Sequence, residues 1–431
     1  MLRLVALLVL CACPLAPLAA QQPPSTAERV LHALDASDRL RPLEARAALR
    51  AVLEQRLPRP AAELPELVLA ARALLALDDA LEDWAAIEAW HAALAARRDQ
   101  SPGELASLLA QGHAVALRAL GRNGDALALS RAQGFVGDGW ILAPFDNERG
   151  AGFERALPPE QGMALDARAT GQAREIHWRR NPAPAHPLGR VLLHEIVRPA
   201  QDGVAFFATV LVAPRELDAT LVLSAGCAFR LWVGGREVGE RDARRPALPD
   251  QDWVPVHLAA GRNELVLELA NEDQGWWGFA LRVADADGRG LSDVRVDAAA
   301  LERIAPLERG AGARGDALDP PSLRALVARA ELADGAGGDA HAVALAAQLE
   351  YHAHPADAQD PRGVQRAERW IAREPNSPAA WQVLAHALRG RLPRALEEDA
   401  LDRRLQAWRR VLELDPAHAG ALASLAEHSI D

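Results

Sequence analysis

The chain has 431 residues, 50% of them hydrophobic but only 4% aromatic, and a formal net charge of −11. That length allows about two or three domains with sizeable cores, and apolar content carried mostly by alanine and leucine favours closely packed helices. The acidic balance leaves no basic footprint for nucleic acid. All 48 basic residues are arginine, which excludes a P-loop, a pyridoxal-phosphate Schiff base and a kinase-type lysine, because each needs an ammonium group.

Residues 1–20 read as an export signal: Arg3 supplies the positive start, 4–12 the apolar run, and Ala19-Ala20 a small-residue cleavage site. The run is too short and too early to span a bilayer, and no later stretch is apolar enough to do so. Leu10-Cys11-Ala12-Cys13 offers a second processing route, lipid attachment at Cys13, although Cys11 is unusual in that motif. Cleavage after Ala20 leaves Cys227 as the sole thiol, so stability must come from packing and not from an internal disulfide. The expected location is periplasmic or secreted.

The stretch 21–134 has helical periodicity, with hairpins expected over 27–57, 61–98 and 102–132, divided near Pro58 and Pro60 and at Ser101-Pro102-Gly103. Ser101 and Asp125 are placed to cap the helices that follow them. In the last hairpin the small residues Ala114, Gly121 and Ala126 stand where two helices must approach closely.

A β-rich island follows over 135–300. Strands are expected at 191–197, 205–212, 219–223, 229–233, 253–258, 264–269 and 277–283, short runs bounded by Gly, Pro or Asp. Gly234-Gly235 supplies hairpin chemistry, and Asp285-Ala-Asp-Gly288 closes the last strand. This spacing predicts an antiparallel β-sandwich of jelly-roll type. The Gly-, Ala- and Asp-rich stretch 301–321 reads as a linker, and 322–431 as a second helical array. There Trp381, Leu384, Ala385 and Leu388 follow Pro375, and Leu422, Leu425 and Ala426 follow Pro416, in tetratricopeptide-like order. The two prolines lie 41 positions apart against a usual ~34, which puts extra residues near 390–393. The pattern breaks at Asp431 after one helix of a repeat, and we expect the natural protein to continue.

The fold class expected is therefore multidomain α and β, with tetratricopeptide-like helical-hairpin arrays flanking the sandwich. Trp140-Ile-Leu-Ala-Pro-Phe-Asp-Asn-Glu148, Leu231-Trp-Val-Gly-Gly-Arg-Glu-Val238 and Leu258-Ala-Ala-Gly-Arg-Asn263 resemble galactose-binding-like modules of exported bacterial repeat proteins. Gly234 departs from the asparagine usual at that turn. The resemblance implies tetratricopeptide repeats on both sides, and in many relatives a downstream DUF3857 and transglutaminase-like region that this chain does not contain.

The candidate chemistry is sparse. Cys227 is the only thiol a cysteine hydrolase could use, and it sits between strands without the helix N-terminus that would lower its pKa. His352 and His354, with His341 upstream, lack a matched third ligand and read as solvent-facing, and Asp285 with Asp287 lacks the rest of a calcium loop. No catalytic residue, metal or cofactor is assigned. Asp146, Asn147 and Glu148 form the densest polar cluster at a strand end. Trp276 and Trp277 cannot both enter one core if they share a strand, because successive side chains point to opposite faces; one of them is a candidate stacking platform for a glycan. The function expected is a non-catalytic scaffold or binding protein, taking a protein segment on its helical surfaces and a glycan on the sandwich. Two alternatives stand beside it: an accessory region of a larger transglutaminase-like or cysteine-hydrolase protein, and a carbohydrate-binding module.

Overall fold

The structure is a computed structural model that describes residues 23–57, 61–272, 276–310, 312–333, 339, 341–355, 361–389 and 394–427. The expected export signal, with Cys11 and Cys13, and the extra residues at 390–393 lie outside these. The chain combines α-helices with antiparallel sheets.

The first helices are α1 (Thr26–Asp38), α2 (Pro42–Arg56), α3 (Leu64–Leu81), α4 (Trp84–Asp99), α5 (Gly103–Ala119) and α6 (Asn123–Ala132). Their bounds fall close to the three expected hairpins. Ser25 caps α1 in a reciprocal capping box with Glu28. Ser101 and Asp125 do not cap as expected: the Ser101 hydroxyl turns back and donates to the Arg97 carbonyl at 2.9 Å, and Asp125 accepts from Arg122. The carbonyls ending α4 are met from the sheet side, where the Arg289 guanidinium donates to Asp99 and Ser101.

In the island, β1 (Trp140–Asp146) is followed by the one-turn helix α7 (Ala151–Glu154). Short strands come next: β2 (Met163–Ala164), β3 (Arg168–Thr170), β4 (Glu175–His177), β5 (Arg179–Arg180) and β6 (Arg190–Val191). The strand expected over 191–197 is mostly the one-turn helix α8 (Leu193–Ile196). Leu193 and Val197 are buried with Ile196 packed beside them, so spacing of helical turns, not alternation, carries that apolar run. The long strands are β7 (Gly203–Ala213), β8 (Leu217–Ala225), β9 (Ala228–Val233), β10 (Arg236–Arg241), β11 (Asp252–Leu258), β12 (Gly261–Asn271) and β13 (Phe279–Ala284); β14 (Arg295–Val296) and β15 (Arg303–Ile304) close the set. Gly234 and Gly235, at φ +58° and +78°, make the two-residue β9–β10 turn that the sequence signals.

One seven-stranded sheet runs β10-β9-β12-β7-β1-β5 with β14 against β7, and one four-stranded sheet runs β11-β8-β13-β6. Both contribute to one core, with Phe207, Leu231 and Leu267 from the larger sheet facing Leu221, Leu281 and Val283 from the smaller. The far side of the larger sheet carries a second core. There Phe206, Trp232 and Val266 are covered by Phe153, Trp178 and Ile304. The expected linker thus packs along the sheet: β15 pairs with β2, Glu308 and Ala313 bridge to Arg236 and Gly239, and Leu318 is fully buried.

The remaining helices are α9 (Pro321–Leu332), α10 (Ala342–Ala353), α11 (Arg362–Arg373), α12 (Pro378–Ala387), α13 (Arg394–Leu414) and α14 (Ala419–Glu427). The two helical stretches flank the island in sequence, yet in space they share one apolar core. The reason is compositional. α3 is buried without interruption from Pro65 to Leu74, and α10 from Ala342 to Glu350; a helix apolar on every side must be surrounded. α3 packs on α1, α2, α5, α9 and α10. Ion pairs reinforce the join, from Arg39 to Asp415 at 2.5 Å and from Arg329 to Glu66 at 2.8 Å.

The smaller sheet turns its outer face to this helical body. Inward Leu281 and Val283 alternate with outward Ala280, Arg282 and Ala284, so period two places a guanidinium between sheet and helices. Arg282 grips Asp250 in a two-bond fork, Nε to Oδ1 at 3.0 Å and Nη2 to Oδ2 at 2.7 Å. The same carboxylate accepts from Ser107 and Gln111 of α5, and Arg72 of α3 donates to the carbonyls of Pro249 and Asp250. On the other side Gln251 donates to the Ala353 carbonyl of α10. Replacing Asp250 with alanine leaves Arg282 buried and unpaired, and urea unfolding should show a loss of about 3–5 kcal/mol. A loss under about 1 kcal/mol would show that helices and sheet do not depend on this contact.

Candidate functional site

The adjacent tryptophans part ways, although both lie ahead of β13, which starts at Phe279, and not on the shared strand that the expectation from alternation assumed. Trp277 is completely buried between the sheets, and its carbonyl accepts from the His194 backbone at 2.9 Å. It is thereby removed as a stacking platform. Trp276 is half-buried, with its ring 6.2 Å from that of His194, and it forms part of the wall of a cavity of about 460 Å³.

The cavity lies where helices and smaller sheet meet without filling the space between them. α3 contributes Leu75, α4 contributes Trp84 and Ile87, and α5 contributes Val115; Phe135, Leu188 and Trp276 come from the island. Its size falls within the usual range for small-molecule sites, roughly 300–1,000 Å³. Gly112 sets part of its shape. A Cβ there would stand 2.4 Å from a Leu75 methyl and 3.0 Å from His91 Nε2, so only glycine lets α5 approach α3 and α4 so closely.

Polar side chains interrupt the apolar wall, among them Gln111, Ser130, Gln133 and Ser224. His91 is buried and stacked on His113 at 5.7 Å, and among the described residues its Nε2 has no hydrogen-bond partner. Burial first, then His113, Arg50 and Arg98, push its pKa down to about 3, so the ring is neutral. Arg72 Nε is likewise without a partner. Asp78 is pushed up to about 6 by burial while Arg50 holds it at 3.2 Å. At the rim, Arg190 is half-buried and Asp79 exposed.

The other sequence candidates lie elsewhere. Asp146, Asn147 and Glu148 are not part of the cavity wall. Asn147 is buried and holds the loop, donating to the Asn271 carbonyl and accepting from the Phe153 amide, each at 3.1 Å. Asp146 is half-buried with Arg155 at 3.6 Å, and Glu148 points into solvent. Neither histidine expected at the surface is there. His354 is buried between Glu350 and the Gln251 carbonyl, and His352 joins the cavity wall. Among the described residues no cluster of side chains could hold a metal ion. Cys227 is buried, and burial pushes its thiol up to about 12, which removes it as a nucleophile.

Ala114 and Ala126 pack together with Leu117, while Gly121, at φ +75°, makes the α5–α6 turn. Leu384 and Ala385 are buried and Trp381 packs beside them. On α14 the expected spacing is displaced. Ala421 is the fully buried residue and Leu425 packs partly, whereas Leu422 is 50% exposed and Ala426 faces solvent. The sequence pointed to Trp276 and missed the rest of the cavity, because its walls come from segments far apart in the chain.

No protein-family model matches this chain, and neither does any curated protein. Among solved structures, a GH31 alpha-xylosidase from Xanthomonas citri is 14% identical over 36% of this chain and 17% of that chain, with a TM-score of 0.20. A superposition that poor carries no statement about fold or activity. Among the described residues no helix is long and apolar enough to cross a membrane.

His91 has a measurable consequence. The unfolded imidazole takes up a proton below about pH 6.5, whereas the folded one resists until about 3, so its contribution is lost as pH falls between those values. Relative to His91→Phe, the wild type should lose about 2 kcal/mol of unfolding free energy between pH 7.5 and 5. Parallel stability curves in urea would show that the ring is protonated in the folded protein.

Proposed function

We propose that this chain is a non-catalytic binding protein whose ligand site is the helix–sheet cavity walled by Trp276. The observation that carries this reading is the apolar cavity itself, closed by elements that are otherwise tightly packed and holding partnerless buried polar atoms at His91 and Arg72. The wider reading keeps the sequence expectation of an exported, tetratricopeptide-like scaffold carrying a jelly-roll, galactose-binding-like module. In support, successive helices pack in order, Ala114 meets Ala126, and two sheets face each other. A protein segment on the helical surface remains the second partner proposed, and a role as accessory region of a transglutaminase-like protein is compatible with it. Cys227 is buried, and burial pushes its thiol up, so cysteine chemistry of that kind would need a different residue.

The test is a thermal-shift screen of small metabolites and glycans against the wild type and Val115→Trp, which fills the cavity from α5. Ligands that raise the wild-type melting temperature should have no effect on the folded Val115→Trp variant. Equal shifts in both proteins, or none in either, would remove the cavity as the site.

A further inference from the structure

The rim of the cavity carries an arginine that, among the described residues, has no ion-pair partner in contact, and the sheet register explains its position. β6 is the edge strand of the smaller sheet, and its Val191 enters the inter-sheet core opposite Phe279. Alternation then forces Arg190, opposite Ala280, onto the helix-facing side, where both residues line the cavity. Arg190 is half-buried, and among the described residues no carboxylate lies within ion-pair distance of its guanidinium. Its electrostatic neighbours are Arg118, a like charge exposed on α5, and Asp79, exposed at the end of α3. Burial and Arg118 both work against its charge, while Asp79 favours it. His186 senses the same two guanidiniums.

The other arginines at this junction are treated differently. Arg282 is matched by the Asp250 carboxylate, Arg72 by backbone carbonyls and Arg50 by Asp78. Leaving a guanidinium partly desolvated beside a second one is unfavourable unless an anion joins them. Asp79 does not fill that role, since it stands in solvent and outside contact distance. A planar fork of N–H donors suits a carboxylate above other small groups. Behind Arg190 the wall is apolar and aromatic, with Trp84, Phe135 and Leu188 within the same cavity.

We propose that the cavity takes a hydrophobic carboxylic acid, its apolar body among Trp84, Ile87 and Trp276 and its carboxylate on Arg190, with the neighbouring charge of Arg118 adding attraction. This deepens the function proposed above and rests on it. The ligand class is an acyl or aryl acid, and the probes separate the two.

Isothermal titration of the full chain with decanoate, 2-naphthoate and the uncharged analogues 1-decanol and 2-naphthalenemethanol tests this. At least one acid should bind at least about tenfold more tightly than its alcohol, since a charge-assisted contact contributes about 1.5–3 kcal/mol. Decanoate alone binding indicates an acyl ligand, and naphthoate alone an aryl one; either outcome supports the proposal. Arg190→Gln should weaken the acid about tenfold or more and leave the alcohol unchanged, while Arg190→Lys should retain part of the acid preference. Alcohols that bind as well as their acids, abolished by Val115→Trp, would overturn the carboxylate inference and leave the cavity site standing. No binding by any probe would overturn the ligand class, and an acid preference that survives Arg190→Gln in folded protein would overturn the role of Arg190.

Discussion

One carboxylate decides how the parts of this protein sit together. Asp250 is buried between the smaller sheet and the helical body, and it accepts hydrogen bonds from Arg282 of β13 and from Ser107 and Gln111 of α5. Burial alone would raise its pKa, but Arg282, with Ser107 and Arg72, holds it below the usual carboxylate value, so it stays charged. A charge in that position cannot be left half-satisfied, because removing any strong partner strands an ion in a poorly solvating medium. The segment around it is fixed from three sides. Gln251 reaches α10, and Asp252 receives Arg241 and Arg245. Such a contact orients the pieces more than it stabilises them, since ion pairs gain little over apolar packing but tolerate few geometries.

The cavity follows from that geometry. A polar clamp holds the sheet against α3 and α5 at one place, and the turn at Pro246–Pro249 continues beside it. Beside the clamp the helices and the smaller sheet leave the cavity between them, walled in part by Trp84, Phe135 and Trp276. Trp276 lies where the chain leaves the core, next to a Trp277 that is locked in place. The rim arginine and the apolar wall behind it thus belong to the same interface that joins helices to sheet, which links occupancy of the cavity to the fit of the two layers.

Much of the local structure was legible from residue order. The helical hairpins of 27–132 fell near their expected bounds because alanine- and leucine-rich periodicity and proline breaks act over a few residues. The β9–β10 turn was readable from Gly234-Gly235 because positive φ at both positions demands glycine. Where the reading failed, a longer-range contact had overruled the local signal. Residues 191–197 have strand-like composition, yet Leu193 and Val197 are satisfied as one helical turn in a crowded core. Ser101 had the chemistry of a cap for α5, but its hydroxyl turns back to donate to the Arg97 carbonyl of α4. His352 and His354 looked like loop residues beside Pro355 and proved to face the sheet layer from α10.

By itself, then, the sequence determined the helical hairpins, most of the long strands, and the inward and outward positions along those strands. These depend on backbone periods of 3.6 and 2 that any short window displays. Only the tertiary structure decided that the two helical stretches form one body, that 301–321 is part of the sheet layer, and that Trp276, His91 and Arg190 line a common cavity. The reason is physical: burial and pairing of a side chain are set by what the fold places opposite it, and here the opposing groups come from parts of the chain more than a hundred positions away.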